Sequence, residues 1–166
     1  MKSKRRWAVV LLVVVGAAVY GGKVMATPSS GVSQLYLAPI TRFEEIDAKV
    51  KTGDWKASLQ TKGASDLHVL QNTIVPGGTF GWHSHPGPSL VIVKSGTATF
   101  YLDGDACTPH VVQAGSGFMD QGGGDVHVVR NEGSVDLVTV VVSLVPAGAT
   151  RRIDADNPYP IGVCPN

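Results

Sequence analysis

The stretch PGGTFGWHSHPGPSLVIVKSG, residues 76–96, decides the fold and the candidate chemistry of this chain. It places His83 and His85 two positions apart in a strand-like run that is bracketed by glycines. Because alternate residues of a strand point to the same face, both imidazoles can reach one metal ion. A second stretch, GSGFMDQGGGDVHVVRN at residues 115–131, supplies His127 in a similar setting. Together the two stretches predict a site with three imidazoles.

From Trp55 onward, short β-rich runs alternate with turns that contain glycine and proline. Examples are the runs at residues 90–94 and 135–144 and the turn Pro76-Gly77-Gly78. Many short strands without intervening helices predict an all-β sandwich or barrel. The valine run at residues 138–142 indicates a strand buried on both faces.

A different pattern precedes this β-rich region. Phe43, Ile46 and Val50 form one apolar stripe at helical spacing. Thr41, followed three positions later by Glu44, resembles a capping box. Residues 38–51 are therefore predicted to form a short N-terminal helix or arm that packs against the barrel.

The two histidine stretches resemble the two sequence motifs of the cupin family. The matching positions of the first motif are Gly77, His83, His85 and Gly96, and those of the second are Gly124, His127 and Asn131. Two positions depart from the family pattern: Ser89 replaces the usual glutamate, and Gly122 stands where the family has a proline. The resemblance covers residues 67–145. It implies a single jelly-roll β-barrel with a metal ion held by His83, His85 and His127.

The missing glutamate changes the expected chemistry of the site. Three neutral imidazoles leave a divalent ion with its full charge, which predicts a stronger Lewis acid that attracts anionic ligands. Such a donor set suits iron, copper, nickel or zinc. The Ser89 hydroxyl is expected to hydrogen-bond a metal-bound water or ligand rather than to coordinate the ion. Asp125 is an alternative carboxylate if the strand of His127 begins that early, and Asp120 is placed in the loop that leads into this strand. A barrel that holds no metal also stays open.

Two classes of function are compatible with this site. One is a metal-dependent, dioxygenase-like oxidoreductase that acts on a small molecule. The other is a non-catalytic barrel that binds a small ligand or has a structural role, and a homodimer is compatible with either. No residue stands out as a general base, so the catalytic residues stay unassigned.

The first 26 residues are typical of an export signal. A basic start is followed by an apolar run over residues 7–20 and by small or apolar residues at 24–26. Cleavage after Ala26 and retention as a membrane anchor are both open, and either places the remainder outside the cytoplasm. The expected segments after the leader are a linker with an N-terminal arm at 27–54, the cupin barrel at 55–147 and a C-terminal tail at 148–166.

The charge balance argues against a nucleic-acid partner. Five of the fourteen basic residues but none of the thirteen acidic ones lie within the first 26 positions, so the rest of the chain carries a net charge of −4 with neutral histidines. A nucleic-acid or anionic membrane surface calls for a basic face instead. The expected partner is a small molecule, with membrane contact only through the N-terminal segment.

The two cysteines, Cys107 and Cys164, are an even number in a chain expected to be exported, which favours a disulfide between them. Two unrelated thiols are the alternative. His68 and His110 are expected at the surface or in capping positions. The pair Arg151-Arg152 is expected to be solvated on the C-terminal tail.

Overall fold

The computed structural model describes residues 27–160 and 162–165. The predictions for the signal or anchor at residues 1–26 lie outside this part of the chain. The described residues form strands and turns without any helix. Accordingly, they include no helix long and apolar enough to cross a membrane.

The strands are numbered in chain order. They are β1 (Ser30–Tyr36), β2 (Thr41–Phe43), β3 (Asp47–Thr52), β4 (Trp55–Gln60), β5 (Ser65–Thr79), β6 (His83–Ser84), β7 (Ser89–Ser95), β8 (Thr97–Leu102), β9 (His110–Gln113), β10 (Gly117–Asp120), β11 (His127–Arg130), β12 (Leu137–Pro146) and β13 (Ile153–Asp154).

Eleven of these strands form an antiparallel, nearly closed barrel, which confirms the predicted jelly-roll fold. One side follows the order β10-β7-β12-β5, with β1 and β2 added along β5. The other side is built from β13, β6, β11, β8 and β9. The two sides join where Thr79 of β5 pairs with Arg130 of β11. This junction brings β6 and β11, which carry the histidines, to the wall of the barrel.

The barrel interior is filled by alternate residues of its strands. In β12, every second residue from Leu137 to Val145 is buried, while the residues between them are partly exposed. The expectation that this valine-rich strand is buried on both faces is therefore wrong, because no second layer covers its outer face in the described part of the chain. The core cluster comprises Ile74, Val93, Ala98, Val129 and Leu137.

The helix predicted over residues 38–51 is not formed. Thr41–Phe43 instead pairs with β5, and Asp47–Thr52 forms a hairpin with β4. The Thr41 hydroxyl donates to the Pro39 carbonyl rather than capping a helix. The long β5 supplies backbone partners to this segment, and such pairing overrides a local helical pattern of only three apolar residues.

The β3–β4 hairpin has one apolar and one polar face. The cross-strand pairs Ala48–Leu59, Val50–Ala57 and Thr52–Trp55 share the first face. Every residue of both strands is exposed, and the exposure of Trp55 reaches 62%. A homodimer stays a prediction for this protein, and this face is the surface on which to test it.

The disulfide predicted from the cysteine count is present between Cys107 and Cys164. Cys164 packs in a second buried cluster with Trp82, Tyr101 and Val128. The indole N–H of Trp82 donates to the carbonyl of Pro165 at 3.2 Å. The bridge therefore fixes the C-terminal tail against the residue that directly precedes His83.

Gly96, in the turn between β7 and β8, requires both a positive φ and close backbone packing. Its φ is 74°, and an added Cβ would lie 2.7 Å from the Asp136 carbonyl oxygen. Gly104 has a similar φ of 78° but no atom within 4 Å of such a Cβ. Gly104→Ala is therefore expected to cost about 1 kcal/mol of unfolding free energy from the left-handed backbone alone. Gly96→Ala is expected to cost roughly 3 kcal/mol, since overpacking against backbone adds to the strain.

Urea unfolding of both variants measures this difference. Because the two glycines share the same backbone region, Gly104→Ala is the matched control for φ. Equal losses of unfolding free energy in the two variants would show that close packing against Asp136 does not contribute to the cost of Gly96→Ala.

Candidate metal centre

Two neighbouring strands bring the three predicted histidines to one place. His83 begins β6 and His127 begins β11, and these two residues pair directly across the strands. His85 lies two positions after His83, on the same face of the chain. All three side chains are buried, with 4–6% of each residue exposed.

The imidazoles converge closely enough to share an ion. The ring centroids of His83 and His127 are 4.5 Å apart, those of His83 and His85 are 4.9 Å apart, and those of His85 and His127 are 5.4 Å apart. One nitrogen from each ring lies within 4.8 Å of the corresponding nitrogen of the others. Two ligands of one transition metal are separated by at most about 4 Å at ordinary bond lengths, so small ring movements suffice.

Backbone carbonyls set the orientation and the tautomer of each ring. The Nδ1 atom of His83 lies 2.7 Å from the Gly81 oxygen, and that of His127 lies 3.1 Å from the Asp125 oxygen. The Nδ1 atom of His85 has the same relation to the Arg151 oxygen, at 2.5 Å. A carbonyl only accepts hydrogen bonds, so Nδ1 carries the proton in all three rings. Each Nε2 then offers its lone pair as a ligand, and the site fits a metal ion.

Burial keeps two of these rings neutral. Desolvation, aided by the neighbouring His127 and Arg152, lowers the pKa of His83 to about 2. Desolvation is also the main cause that lowers the pKa of His85 to about 4, and Asp120 opposes this shift. Near pH 7 both rings are therefore unprotonated and free to coordinate an ion without first losing a proton.

The histidines face a small cavity inside the barrel. Its walls combine apolar side chains with a few polar ones from six strands and the C-terminal tail. The residues that line it besides the histidines are Asn72, Phe80, Val91, Phe118, Asp120, Val129, Thr139, Val141, Arg151 and Arg152. A second cavity, lined by His127, Asp120, Phe118 and Phe100 among others, adjoins it between β8 and β10. The stacked rings of Phe100 and Phe118, 4.7 Å apart, line this second cavity.

The expectation that Arg151 and Arg152 are solvated is wrong. Strand β13 pairs with β6, with Ile153 opposite Ser84, and this pairing draws the two arginines over the cavity. Burial lowers the pKa of Arg151. The tail therefore contributes two cationic side chains to the site, and no local sequence signal distinguishes them from surface arginines.

Of the three polar residues that could act beside the histidines, only one has its side chain near them. The Ser89 hydroxyl is buried and lies 2.8 Å from the Ser143 hydroxyl, and Ser89 does not line the cavity. Asp125 is exposed and contacts His127 through its carbonyl oxygen only. Asp120 lies beside the cluster, with its Oδ2 atom 3.7 Å from His85 Nε2 and its side chain 8% exposed. The carboxylate nearest to the histidines is thus Asp120.

The other histidines lie outside this cluster. His68 is buried, with 5% of its surface exposed, so its expected surface position is wrong. His110 pairs with Asp105 and stacks on Phe100. Asn131 is fully buried and fixes its turn, since its amide donates to the Ile74 and Val135 carbonyls.

Comparison with solved structures finds several similar chains. The chain is similar to a cupin superfamily protein from Desulfitobacterium hafniense DCB-2, with 11% sequence identity and a TM-score of 0.49 over 73% of this chain and 84% of that chain. It is also similar to the cupin domain of an XRE family transcriptional regulator from Enterobacter cloacae, with 16% identity and a TM-score of 0.46 over 69% and 96% of the two chains. An oxalate oxidase in complex with the substrate analogue glycolate shares 25% identity, with a TM-score of 0.42 over 46% of this chain and 41% of that chain.

Sequence comparison bears directly on the family. A search of curated proteins finds no match to this chain. Residues 71–143 match the family described as "Cupin domain", and this range contains both histidine stretches and all three imidazoles of the cluster. Residues 71–143 are therefore identified as a cupin domain.

Proposed function

We propose that this protein binds one divalent transition-metal ion through His83, His85 and His127. We further propose that it holds a small carboxylate-bearing molecule next to that ion and acts on it as a dioxygenase-like oxidoreductase. The observation that carries the proposal is the set of three Nδ1 contacts to backbone carbonyls, which direct three buried Nε2 lone pairs towards one point. Buried histidines without a ligand to bind do not need a common tautomer and a common direction.

The arginines of the tail support an anionic ligand. The Nε and Nη2 atoms of Arg152 both lie 2.7 Å from Asp154 Oδ1. Its Nη1 atom is buried and has no hydrogen-bond partner among the described residues. A guanidinium nitrogen that is buried without a partner can donate a charge-assisted hydrogen bond to a carboxylate. Because Arg152 lines the same cavity as the histidines, a carboxylate bound to it lies within reach of the metal position.

The remaining residues of the cavity would position the ligand. A bound iron or copper ion supplies the Lewis-acid and redox chemistry that an oxidoreductase of this type needs. Phe80, Phe118 and Val141 provide apolar walls that exclude water. Asn72 and Thr139, which hydrogen-bond each other at 3.3 Å, offer polar atoms at the opposite wall.

Metal analysis by mass spectrometry tests the first part of the proposal. The full chain, purified without a chelating tag, is expected to contain about one equivalent of iron, copper, nickel or zinc per chain. Apoprotein that fails to take up any of these ions would refute the proposal. Oxygen consumption by the metal-loaded protein with bound carboxylates then tests catalysis, and binding without consumption would indicate a binding protein instead.

Arg152→Gln is expected to weaken carboxylate binding to the metal-loaded protein by about 10- to 100-fold. The variant removes a charge-assisted hydrogen bond, a contact of roughly 1.5–3 kcal/mol. Calorimetric titration with acetate, glycolate and malonate measures the effect. Arg42→Gln is the matched control, since Arg42 pairs with Asp66 at 2.9 Å and does not line the cavity. Equal binding by both variants would exclude Arg152 as the anion contact.

We propose, finally, that the protein acts outside the cytoplasm. The disulfide supports this location, because such bridges persist mainly in oxidising compartments. The basic and apolar pattern of residues 1–26 supports it independently.

A further inference from the structure

Among the described residues, Asp120 is the one carboxylate that lines the cavity of the three histidines. Its side chain is 8% exposed, and its Oδ2 atom is buried without a hydrogen-bond partner among the described residues. A buried carboxylate oxygen in this state is costly unless something pairs with it. Within the described residues, His85 Nε2 at 3.7 Å and the charge of Arg151 lie near this oxygen, but neither forms a hydrogen bond with it.

The strand register places Asp120 opposite the position of the missing glutamate. Strands β7 and β10 are antiparallel neighbours, and Asp120 pairs directly with Ser89. Residues that face each other across two strands project to the same side of the sheet. The carboxylate absent at position 89 is thus present on the neighbouring strand, one strand spacing away.

The chain also holds this carboxylate in place. The backbone N–H of Gly122 donates to Asp120 Oδ1 at 2.9 Å, which leaves Oδ2 directed at the cavity. A proline at position 122 has no N–H and could not make this bond. Gly122 also packs closely, since an added Cβ would lie 2.3 Å from the Gly87 carbonyl oxygen. The two departures from the family pattern, at positions 89 and 122, therefore both lie next to Asp120: Ser89 pairs with it across the strands, and Gly122 donates to its side chain.

The distance from Asp120 to one of the histidines, His85, suits a shared ion. Its Oδ2 atom is 3.7 Å from His85 Nε2, and two donors around one ion lie at most about 4 Å apart. Asp120 lies beside the group of three histidines rather than within it, so it would approach a shared ion from the side of His85.

We propose that Asp120 is the fourth ligand of the metal site and replaces the glutamate that the chain lacks at position 89. This inference rests on the proposed metal binding by His83, His85 and His127. A carboxylate ligand lowers the net charge of the site by one and widens the range of ions that it accepts towards manganese. The site is therefore a three-histidine, one-carboxylate centre whose carboxylate comes from β10.

The Asp120→Asn variant of the full chain tests this proposal. Asparagine keeps the shape of the side chain and the oxygen that accepts from Gly122 N–H, but it removes the charge. Competition titration with Zn²⁺ and Mn²⁺ is expected to show affinities about 10- to 100-fold weaker than in the wild type, with the larger loss for Mn²⁺. Without metal, the variant is expected to unfold at the same or a higher urea concentration, because it no longer buries a carboxylate whose Oδ2 atom lacks a hydrogen bond.

Two further variants control for charge and for packing. Asp47→Asn makes the same charge change in the exposed β3 strand and is expected to leave both affinities unchanged. Asp120→Glu keeps a carboxylate and is expected to retain more affinity than Asp120→Asn. Wild-type affinity in Asp120→Asn, or equal losses in Asp120→Asn and Asp120→Glu, would overturn the role of Asp120. If the wild type itself binds no metal, the proposed function fails instead, so the two failures are distinguishable.

Discussion

Replacing His127 with alanine is expected to lower metal affinity by at least about 100-fold and to leave the purified protein without stoichiometric metal. His127 is the ligand that the second histidine stretch contributes, and it lies 4.5 and 5.4 Å, between ring centroids, from the other two imidazoles. Substitutions of residues that merely orient ligands already cost about 10- to 100-fold in affinity, so the loss of a ligand should cost at least as much. Metal content by mass spectrometry and competition titration measure the result.

His110→Ala is the matched control for this experiment. His110 is also a histidine of the barrel, but it pairs with Asp105 and stacks on Phe100 outside the cluster. Its removal is expected to leave one equivalent of metal bound. If both variants keep the metal, the ion binds elsewhere and the three-histidine centre is wrong; if both lose it, the effect reflects general destabilisation of the barrel.

Replacing Cys107 with serine is expected to destabilise the protein by roughly 4 kcal/mol. The bridge joins residues 57 positions apart. Closing a loop of that length lowers the entropy of the unfolded chain, which raises its free energy by about this amount. The effect should extend to the metal site, because the tail that the bridge fixes carries the Arg151 carbonyl that orients His85. Urea unfolding without reductant measures stability, and metal titration measures the effect on the site.

The double variant Cys107→Ser/Cys164→Ser serves as the control. Both substitutions break the same bond, so the double variant should lose no more than either single variant. Reduced wild-type protein should behave like the variants. A loss below about 1 kcal/mol would show that the bridge does not restrain the tail. Thiol titration of protein recovered from outside the cytoplasm tests the proposed location, since two reactive thiols there would contradict both the bridge and the oxidising compartment.

The histidine site shows how far local sequence reasoning reaches. His83 and His85 follow from the alternation of a strand, and His127 follows from a second stretch of similar character. The helix predicted around Phe43 failed because the edge of β5 offers backbone partners that a local pattern does not reveal. Sequence reasoning places Asp120 only in the loop before His127 and assigns Arg151 and Arg152 to the solvent, because β-sheet register brings these residues to the site.

The sequence by itself determined the all-β class, the cupin resemblance, the three candidate ligands and the cysteine pair. Each of these depends on residue identity and short spacing, which strand alternation and turn chemistry translate directly into structure. Only the tertiary structure decided which charged side chains lie at the site. Pairing of β10 with β7 places Asp120 opposite Ser89, and pairing of β13 with β6 places Arg152 over the cavity. The physical reason is that hydrogen bonding between distant strands sets these registers, and a shift of one residue would turn each side chain to the opposite face.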